Sequence, residues 1–165
     1  MKLEGSCHCR SVRFSVVSDT PFPYNKCYCS ICRKTAGGGG YAINIMGRAE
    51  TLAITGEKNL SEYRSASNDR DDYGEDGLSK ASRYFCSNCG SALWVHGTDY
   101  PDFVYPFASA IDTPLPEAPE CTHLMLAHKA SWVTVHEGTQ DAKFELYPDT
   151  GIEQWHRQRG LFGDK

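Results

Sequence analysis

The sequence predicts a mainly β domain, and three observations support this fold class. Apolar and polar residues alternate in five short segments, which is the pattern of strands with one face in a core. These segments are 12–16, 41–46, 93–95, 103–105 and 132–135. Glycine and proline separate the segments, and no window keeps an apolar stripe at helical spacing over three turns. The aromatic residues at strand spacing are therefore predicted to lie in the core: Trp94, Tyr105, Phe107 and Trp132.

Two helical turns and two loops complete the predicted elements. Helical turns are expected at 30–35 and 153–159. The segment 65–80 is rich in Asp, Ser, Asn and Gly, and 113–120 is rich in Pro and Glu. Neither has a strand pattern, so both are predicted to be loops.

The chain length bounds the domain organisation. A chain of 165 residues can form one domain with a substantial core and is short for two. We interpret 1–150 as a single β domain and 151–165 as a C-terminal tail. The last residues, 158–165, are expected to be loosely held.

Charge and hydropathy disfavour two classes of partner. The net charge of -4 and the sequence pI of about 5.8 give no global attraction to nucleic acid. No apolar signal segment precedes Cys7, and no stretch approaches the roughly 20 apolar residues of a membrane span. The expectation is a soluble cytoplasmic protein that binds neither nucleic acid nor membrane.

Seven of the eight cysteines occur at the spacings of metal ligands. They form C-x-C at 7–9, C-x-C-x-x-C at 27–32 and C-x-x-C at 86–89. Such spacings place thiolates on a tight turn, where each can reach about 2.3 Å from one zinc ion. Disulfides between neighbours this close are disfavoured, so the pattern predicts bound metal, with zinc as the leading candidate.

Seven ligands divide naturally into four and three. A structural zinc site is closed by four protein ligands, whereas a catalytic site has three and keeps one position open. Cys7 and Cys9 with the pair at 86–89 would crosslink distant parts of the chain and leave a triad at 27–32. Spacing alone does not fix this division, and the reverse split remains open.

Four motifs resemble the glutathione-dependent formaldehyde-activating enzyme family, which includes centromere protein V. They are GSCHC at 5–9, VRF at 12–14, CYCSICRK at 27–34 and RYFCSNCGS at 83–91. Weaker landmarks follow at 112–114, 123–125 and 129–132. The resemblance extends from about residue 4 to about residue 147.

The resemblance implies an Mss4-like fold of antiparallel sheets held by two zinc ions per chain. It implies a structural zinc on Cys7, Cys9, Cys86 and Cys89, and a catalytic-type zinc on Cys27, Cys29 and Cys32. The implied reaction adds glutathione or another small thiol to formaldehyde or a related carbonyl, as carbon-sulfur lyase chemistry in the direction of synthesis. Oligomeric state and pathway leave no signal in the sequence.

Several residues have more than one interpretation at this stage. Cys121 is either a small buried residue or the fourth ligand that would close the triad. His123 is either a hydrogen-bonded core residue or a support for the catalytic-type zinc. His8 is interpreted as a surface spacer, and the glycines at 37–40 as a turn.

Other functions compete with the enzyme hypothesis. A non-catalytic zinc scaffold for a protein partner is the alternative, and it is favoured if Cys121 or a histidine closes the triad. A nucleic-acid zinc finger and a redox C-x-x-C both fit poorly, because neither the finger spacing nor an α/β pattern is present. An acidic segment at 67–77 would repel glutathione if it covered the open zinc.

Overall fold

Twelve strands, two short α-helices and four 3-10 turns form the regular part of the chain within the described residues. The computed structural model describes residues 1–66, 73–136 and 140–163. The strands are β1 (Lys2–Ser6), β2 (Arg13–Val17), β3 (Tyr24–Cys27), β4 (Ala42–Asn44), β5 (Gly47–Arg48), β6 (Ala53–Thr55), β7 (Leu60–Arg64), β8 (Ala81–Cys86), β9 (Ala92–Gly97), β10 (Phe103–Pro106), β11 (Cys121–Leu124) and β12 (Ala142–Lys143). The helices are α1 (Ser30–Ala36) and α2 (Ile152–Gln158). The mainly β prediction and both predicted helical turns are confirmed.

Two antiparallel sheets enclose the larger apolar core. The first has the order β1-β2-β6, and the second has the order β5-β10-β9-β8-β7. Phe14 of the first sheet meets Trp94 of the second edge to face, with ring centroids 5.0 Å apart. Trp94 is 2% exposed and also stacks on Tyr84. The contact between the sheets places the end of β1 beside the end of β8.

The third sheet, of order β12-β11-β3-β4, mixes two strand directions. β3 and β4 are antiparallel, but β11 runs parallel to both β3 and β12. A parallel pair requires a long connection, and almost a hundred residues separate β3 from β11. A second apolar cluster forms where this sheet meets α1, and it includes Phe107, Leu124 and Met125.

The strand predicted at 132–135 is absent, which corrects one sequence-based expectation. Trp132 is 63% exposed, so its predicted place in the core is also wrong. Val133 alone is buried there, against Gly40, while Lys129 donates to the carbonyl oxygen of Val133 at 2.7 Å. Alternation predicts a strand only where a partner strand is available, and this segment has none within the described residues.

The segment interpreted as a C-terminal tail, 151–165, packs on the domain through the helix α2. Ile152 and His156 of α2 are buried, at 7% and 0% exposure. Phe162 lies between the guanidinium groups of Arg48 and Arg157, at 5.1 and 3.9 Å from its ring centroid. Phe162 therefore contacts the domain, whereas 158–165 was expected to be loosely held; residues 164 and 165 lie outside the described residues.

The two predicted loops have the expected lack of strands within the described residues. Residues 67–72 of the acidic segment lie outside those residues, so its position relative to the triad stays untested. On its C-terminal side, Arg64 pairs with Asp76 at 2.6 Å. Neither helix has the length or the apolar character needed to cross a bilayer, in the part of the chain that is described.

Candidate metal centres

Four thiols from two distant parts of the chain meet at the ends of β1 and β8. The sulfur atoms of Cys7, Cys9, Cys86 and Cys89 all lie within 4.8 Å of one another. Sγ of Cys9 is 3.5 Å from Sγ of Cys7 and 3.8 Å from Sγ of Cys86. A tetrahedral site with zinc-sulfur bonds of about 2.3 Å has sulfur atoms about 3.8 Å apart. The donor set therefore fits zinc.

Two tight turns present these thiols. After β1, Arg10 adopts a positive φ of 59°, and the amide of Val12 donates to Sγ of Cys7 at 3.2 Å. After β8, Gly90 has φ of 74° and its amide donates to the carbonyl oxygen of Cys86 at 2.8 Å. Left-handed positions after a C-x-C or C-x-x-C turn the chain back, so both sulfur atoms face the same point.

Hydrogen bonds lower the pKa of two thiols in this cluster, whereas burial raises the pKa of a third. The Ser11 hydroxyl, followed by the Ser11 backbone, lowers the pKa of the exposed Cys9 to about 5. Contact with the Ser91 hydroxyl lowers the pKa of Cys89 to about 7. Burial raises the pKa of Cys86 to about 11. The cluster thus combines two exposed, readily ionised thiols with two buried ones, Cys7 and Cys86.

The remaining three ligand-spaced thiols form a second cluster around the start of α1. Cys27 ends β3, Cys29 is the N-cap of α1, and Cys32 lies in its first turn. The amide of Cys32 donates to Sγ of Cys29 at 3.3 Å. All three sulfur atoms lie within 4.8 Å of one another, and all three residues are at most 3% exposed. Hydrogen bonding to the thiols of Cys29 and Cys32, together with burial, raises the pKa of Cys27.

No described residue adds a fourth ligand atom to this group of three. Cys121, the first candidate, pairs with Tyr24 in the parallel ladder of β11 and β3, whereas Leu124 pairs with Cys27. Three residues of strand correspond to about 10 Å, so Cys121 lies at the far end of that ladder. All eight cysteines are thiols, with no disulfide among them.

His123, the second candidate, is engaged by other side chains. Its Nδ1 lies 2.8 Å from the Tyr28 hydroxyl, and its Nε2 lies 3.0 Å from Oδ2 of Asp141. Burial raises the pKa of Tyr28 to about 12, so this hydroxyl remains a donor. His123 is therefore the hydrogen-bonded core residue of the first interpretation, and it supports the Cys27–Cys29 turn through Tyr28.

The three-thiol cluster opens onto a cavity of about 410 Å³. Cys27 and Cys32 form part of its wall, together with Asn25, Asn44 and Arg83. A groove of about 500 Å³ beside β1 contains none of the seven thiols. The triad is thus the cluster that combines three sulfur ligands with space for another molecule.

Comparison with known proteins assigns the family. A family model described as glutathione-dependent formaldehyde-activating enzyme matches residues 2–127. The chain belongs to this family. A Halomonas elongata protein named "Putative glutathione-dependent formaldehyde-activating enzyme" is 54% identical over 162 residues, which cover 98% of each chain. The crystal structure of a Rhodobacter sphaeroides protein is similar, with a TM-score of 0.52 and 25% identity, over 68% of this chain and 91% of that one.

The family resemblance noted in the sequence is confirmed. The seven thiols lie in the groups of four and three that the resemblance implied. His8 is exposed, as expected for a spacer between Cys7 and Cys9. Sequence reasoning did not find Arg83, Asn25 or Asn44 in the cavity wall. One feature of the sequence could have indicated Arg83: it is a charged residue in a strand that leads into the core, three positions before Cys86.

Proposed function

We propose that this protein catalyses the addition of glutathione or a related small thiol to formaldehyde or a similar small carbonyl. The observation that carries the proposal is the group of three buried thiols, two of which (Cys27 and Cys32) line a cavity, without a fourth ligand among the described residues. The family match and the name of the Halomonas elongata relative support the same reaction.

In this proposal the two clusters have different roles. Cys7, Cys9, Cys86 and Cys89 hold a structural zinc that ties β1 to β8, whereas Cys27, Cys29 and Cys32 hold a second zinc with one position available to substrate. At such a position zinc supplies ionisation and orientation of a bound thiol near neutral pH.

The protein positions the reactants around that site. The reaction forms one carbon-sulfur bond, converts the carbonyl double bond to a carbon-oxygen single bond, and transfers the thiol hydrogen to the oxygen. No further reactant is consumed. The neighbouring amides of Asn25 and Asn44, paired in the β3–β4 ladder, are available to hydrogen-bond the substrate in the cavity.

Carbon-sulfur lyase classification and a cytoplasmic location belong to this proposal as well. The thiols of both clusters must be reduced to bind zinc, so a reducing compartment suits the protein. The non-catalytic scaffold remains the competing hypothesis, but the position of Cys121 and the engagement of His123 favour the open site.

The test compares zinc content and activity in three proteins. Wild type, Cys29→Ser and Cys121→Ser are analysed for zinc, and the rate of glutathione addition to formaldehyde is measured after subtraction of the spontaneous rate. Wild type and Cys121→Ser are expected to hold two zinc ions and to exceed the spontaneous rate. Cys29→Ser is expected to fold, to retain one zinc and to lose the catalysed rate. A Cys29→Ser protein with undiminished catalysis would refute the proposal.

A further inference from the structure

Arg83 is a buried cation in the wall of the cavity that Cys27 and Cys32 line. Arg83 is 4% exposed, and its Nε atom is buried without a hydrogen-bond partner in the described structure. The hydrogen bond that it does make runs from Nη1 to the carbonyl oxygen of Ala81, at 3.3 Å. Considering the described residues only, no carboxylate forms an ion pair with it.

An arginine in this state is costly to the folded protein. A guanidinium keeps its positive charge at every pH that proteins tolerate, and it carries five donor hydrogens. Burial of an unpaired charge is strongly unfavourable, and a buried donor without an acceptor adds about 1–3 kcal/mol. An anionic ligand in the cavity would offset both costs.

The position of Arg83 connects it with the three-thiol cluster. Arg83 pairs with Val95 in the β8–β9 ladder, and Val95 packs against the apolar cluster that contains Cys27, Cys29 and Cys32. Arg83, Cys27 and Cys32 all line the same cavity. A molecule bound there can therefore meet both the thiol site and the guanidinium.

The other charges of the cavity leave Arg83 available. Lys80 is paired with Asp99 at 3.2 Å. Asp149, the other carboxylate on the wall, is exposed to solvent. Arg83 is therefore the buried charged side chain of this wall, whereas Lys80, Asp99 and Asp149 lie in more exposed positions.

We propose that Arg83 binds a carboxylate of the thiol substrate, so that the site selects thiols that also carry an acid group. This inference rests on the proposed function, since it assumes that the substrate sulfur occupies the three-thiol cluster. A planar guanidinium donates two parallel hydrogen bonds to the two oxygens of a carboxylate, a geometry that lysine cannot reproduce. Glutathione meets the requirement, and simple alkyl thiols do not.

The test uses two small thiols that differ in the acid group. Binding of 3-mercaptopropionate and of 2-mercaptoethanol to the zinc-loaded protein is measured by calorimetry, for wild type, Arg83→Met and Arg83→Lys. The wild type is expected to bind the acid about 10- to 100-fold more tightly, as for a charge-assisted hydrogen bond. Arg83→Met is expected to remove this preference, while leaving its affinity for 2-mercaptoethanol and its zinc content unchanged. If Arg83→Met does not fold, Arg83→Lys provides the test. Arg83→Lys is expected to lose most of the preference for 3-mercaptopropionate over 2-mercaptoethanol.

Propionate, which carries the acid group without sulfur, separates this inference from the proposed function. Its binding, followed by chemical-shift changes, is expected to weaken about tenfold in Arg83→Met. Equal binding of the two thiols by wild type, or an Arg83→Met protein that keeps the preference, would overturn the role of Arg83 and leave the proposed function intact. Absence of 2-mercaptoethanol binding together with Arg83-dependent binding of propionate would refute the proposed thiol site and would leave Arg83 as a site for carboxylates only.

Discussion

The hydroxyl of Tyr28 lies 2.8 Å from Nδ1 of His123, and both residues are 1% exposed. Tyr28 stands between two thiols of the triad, whereas His123 lies on β11, so this hydrogen bond links the cysteine turn to the neighbouring strand. The Asp141 carboxylate accepts a hydrogen bond from Nε2 of the imidazole. It accepts another from the backbone amide of Cys121, at 2.9 Å. The chain of hydrogen bonds fixes the backbone that carries Cys27 and Cys29.

Loss of the imidazole should destabilise this arrangement. His123→Ala leaves the Tyr28 hydroxyl and the Asp141 carboxylate without their buried partner, at a cost of about 2–4 kcal/mol in the free energy of unfolding. Tyr28→Phe removes one hydroxyl and should cost less, about 1 kcal/mol. Denaturant unfolding of the zinc-loaded proteins measures both. Equal stability of His123→Ala and wild type would show that the hydrogen bonds do not support the fold.

The two thiol clusters should differ in their effect on stability. Cys86→Ser removes a proposed zinc ligand that joins β8 to the C-x-C turn after β1. It should lower the melting temperature strongly, because metal binding at a site shared by distant segments would be coupled to folding. Cys29→Ser affects a cluster within one local segment, 27–32, and should lower the melting temperature less. Thermal unfolding with and without a zinc chelator compares them. A larger loss in Cys29→Ser would reverse the proposed division of roles.

Gly40 is a position where any side chain should be harmful. Its φ of +96° is unfavourable for other residues, and a Cβ atom would overlap Cγ2 of Val133. Gly40→Ala should therefore destabilise the protein by about 2 kcal/mol or more, from backbone strain and overlap together. Gly38→Ala is the matched control, because a Cβ at Gly38 would have open space and that residue has no positive φ. In a background of Val133→Ala, the cost of Gly40→Ala should decrease, since only the strain remains.

His156 should make stability depend on pH in the mildly acidic range. Burial lowers its pKa, an effect only partly opposed by its hydrogen bond to the Phe22 carbonyl oxygen, 2.7 Å from Nε2. The folded protein therefore holds His156 neutral at pH values where the unfolded chain, with a pKa near 6.5, takes up a proton. The stabilisation is complete above about pH 6.5 and is lost as the pH falls towards the folded pKa, by at most about 1.4 kcal/mol per pH unit.

The comparison of wild type with His156→Gln isolates this contribution. Both proteins carry the same cysteines and the same other histidines, so zinc release and other titrations cancel in the difference. The free energy of unfolding of wild type should decrease more steeply than that of His156→Gln between about pH 6.5 and pH 5.5. Parallel curves for the two proteins would contradict the prediction.

The sequence predicted the parts of the site that depend on local spacing. A C-x-C or C-x-x-C places its thiols on one turn whatever surrounds it, so the grouping of Cys27, Cys29 and Cys32 was accessible from the sequence. Joining Cys7 to Cys86 required the family resemblance as well, because no local rule relates residues almost eighty positions apart.

What the sequence did not predict depends on strand pairing. The wall position of Arg83 follows from the β8–β9 register, which shifts at a bulge between Tyr84 and Phe85. Segment 132–135 alternates like a strand but lacks a partner strand among the described residues. Phe162 contacts Arg48, which is more than a hundred residues away in the sequence. Long-range packing of this kind leaves little trace in a local pattern.

The central claim, an open three-thiolate site, is tested most directly by cadmium-113 NMR. The cadmium-loaded wild type should give two resonances, and the one absent from Cys29→Ser should shift on titration with glutathione. S-Methylglutathione, which lacks the free thiol, should not move it. If both resonances stay in place while glutathione is added in excess, the second site is closed and the account is contradicted.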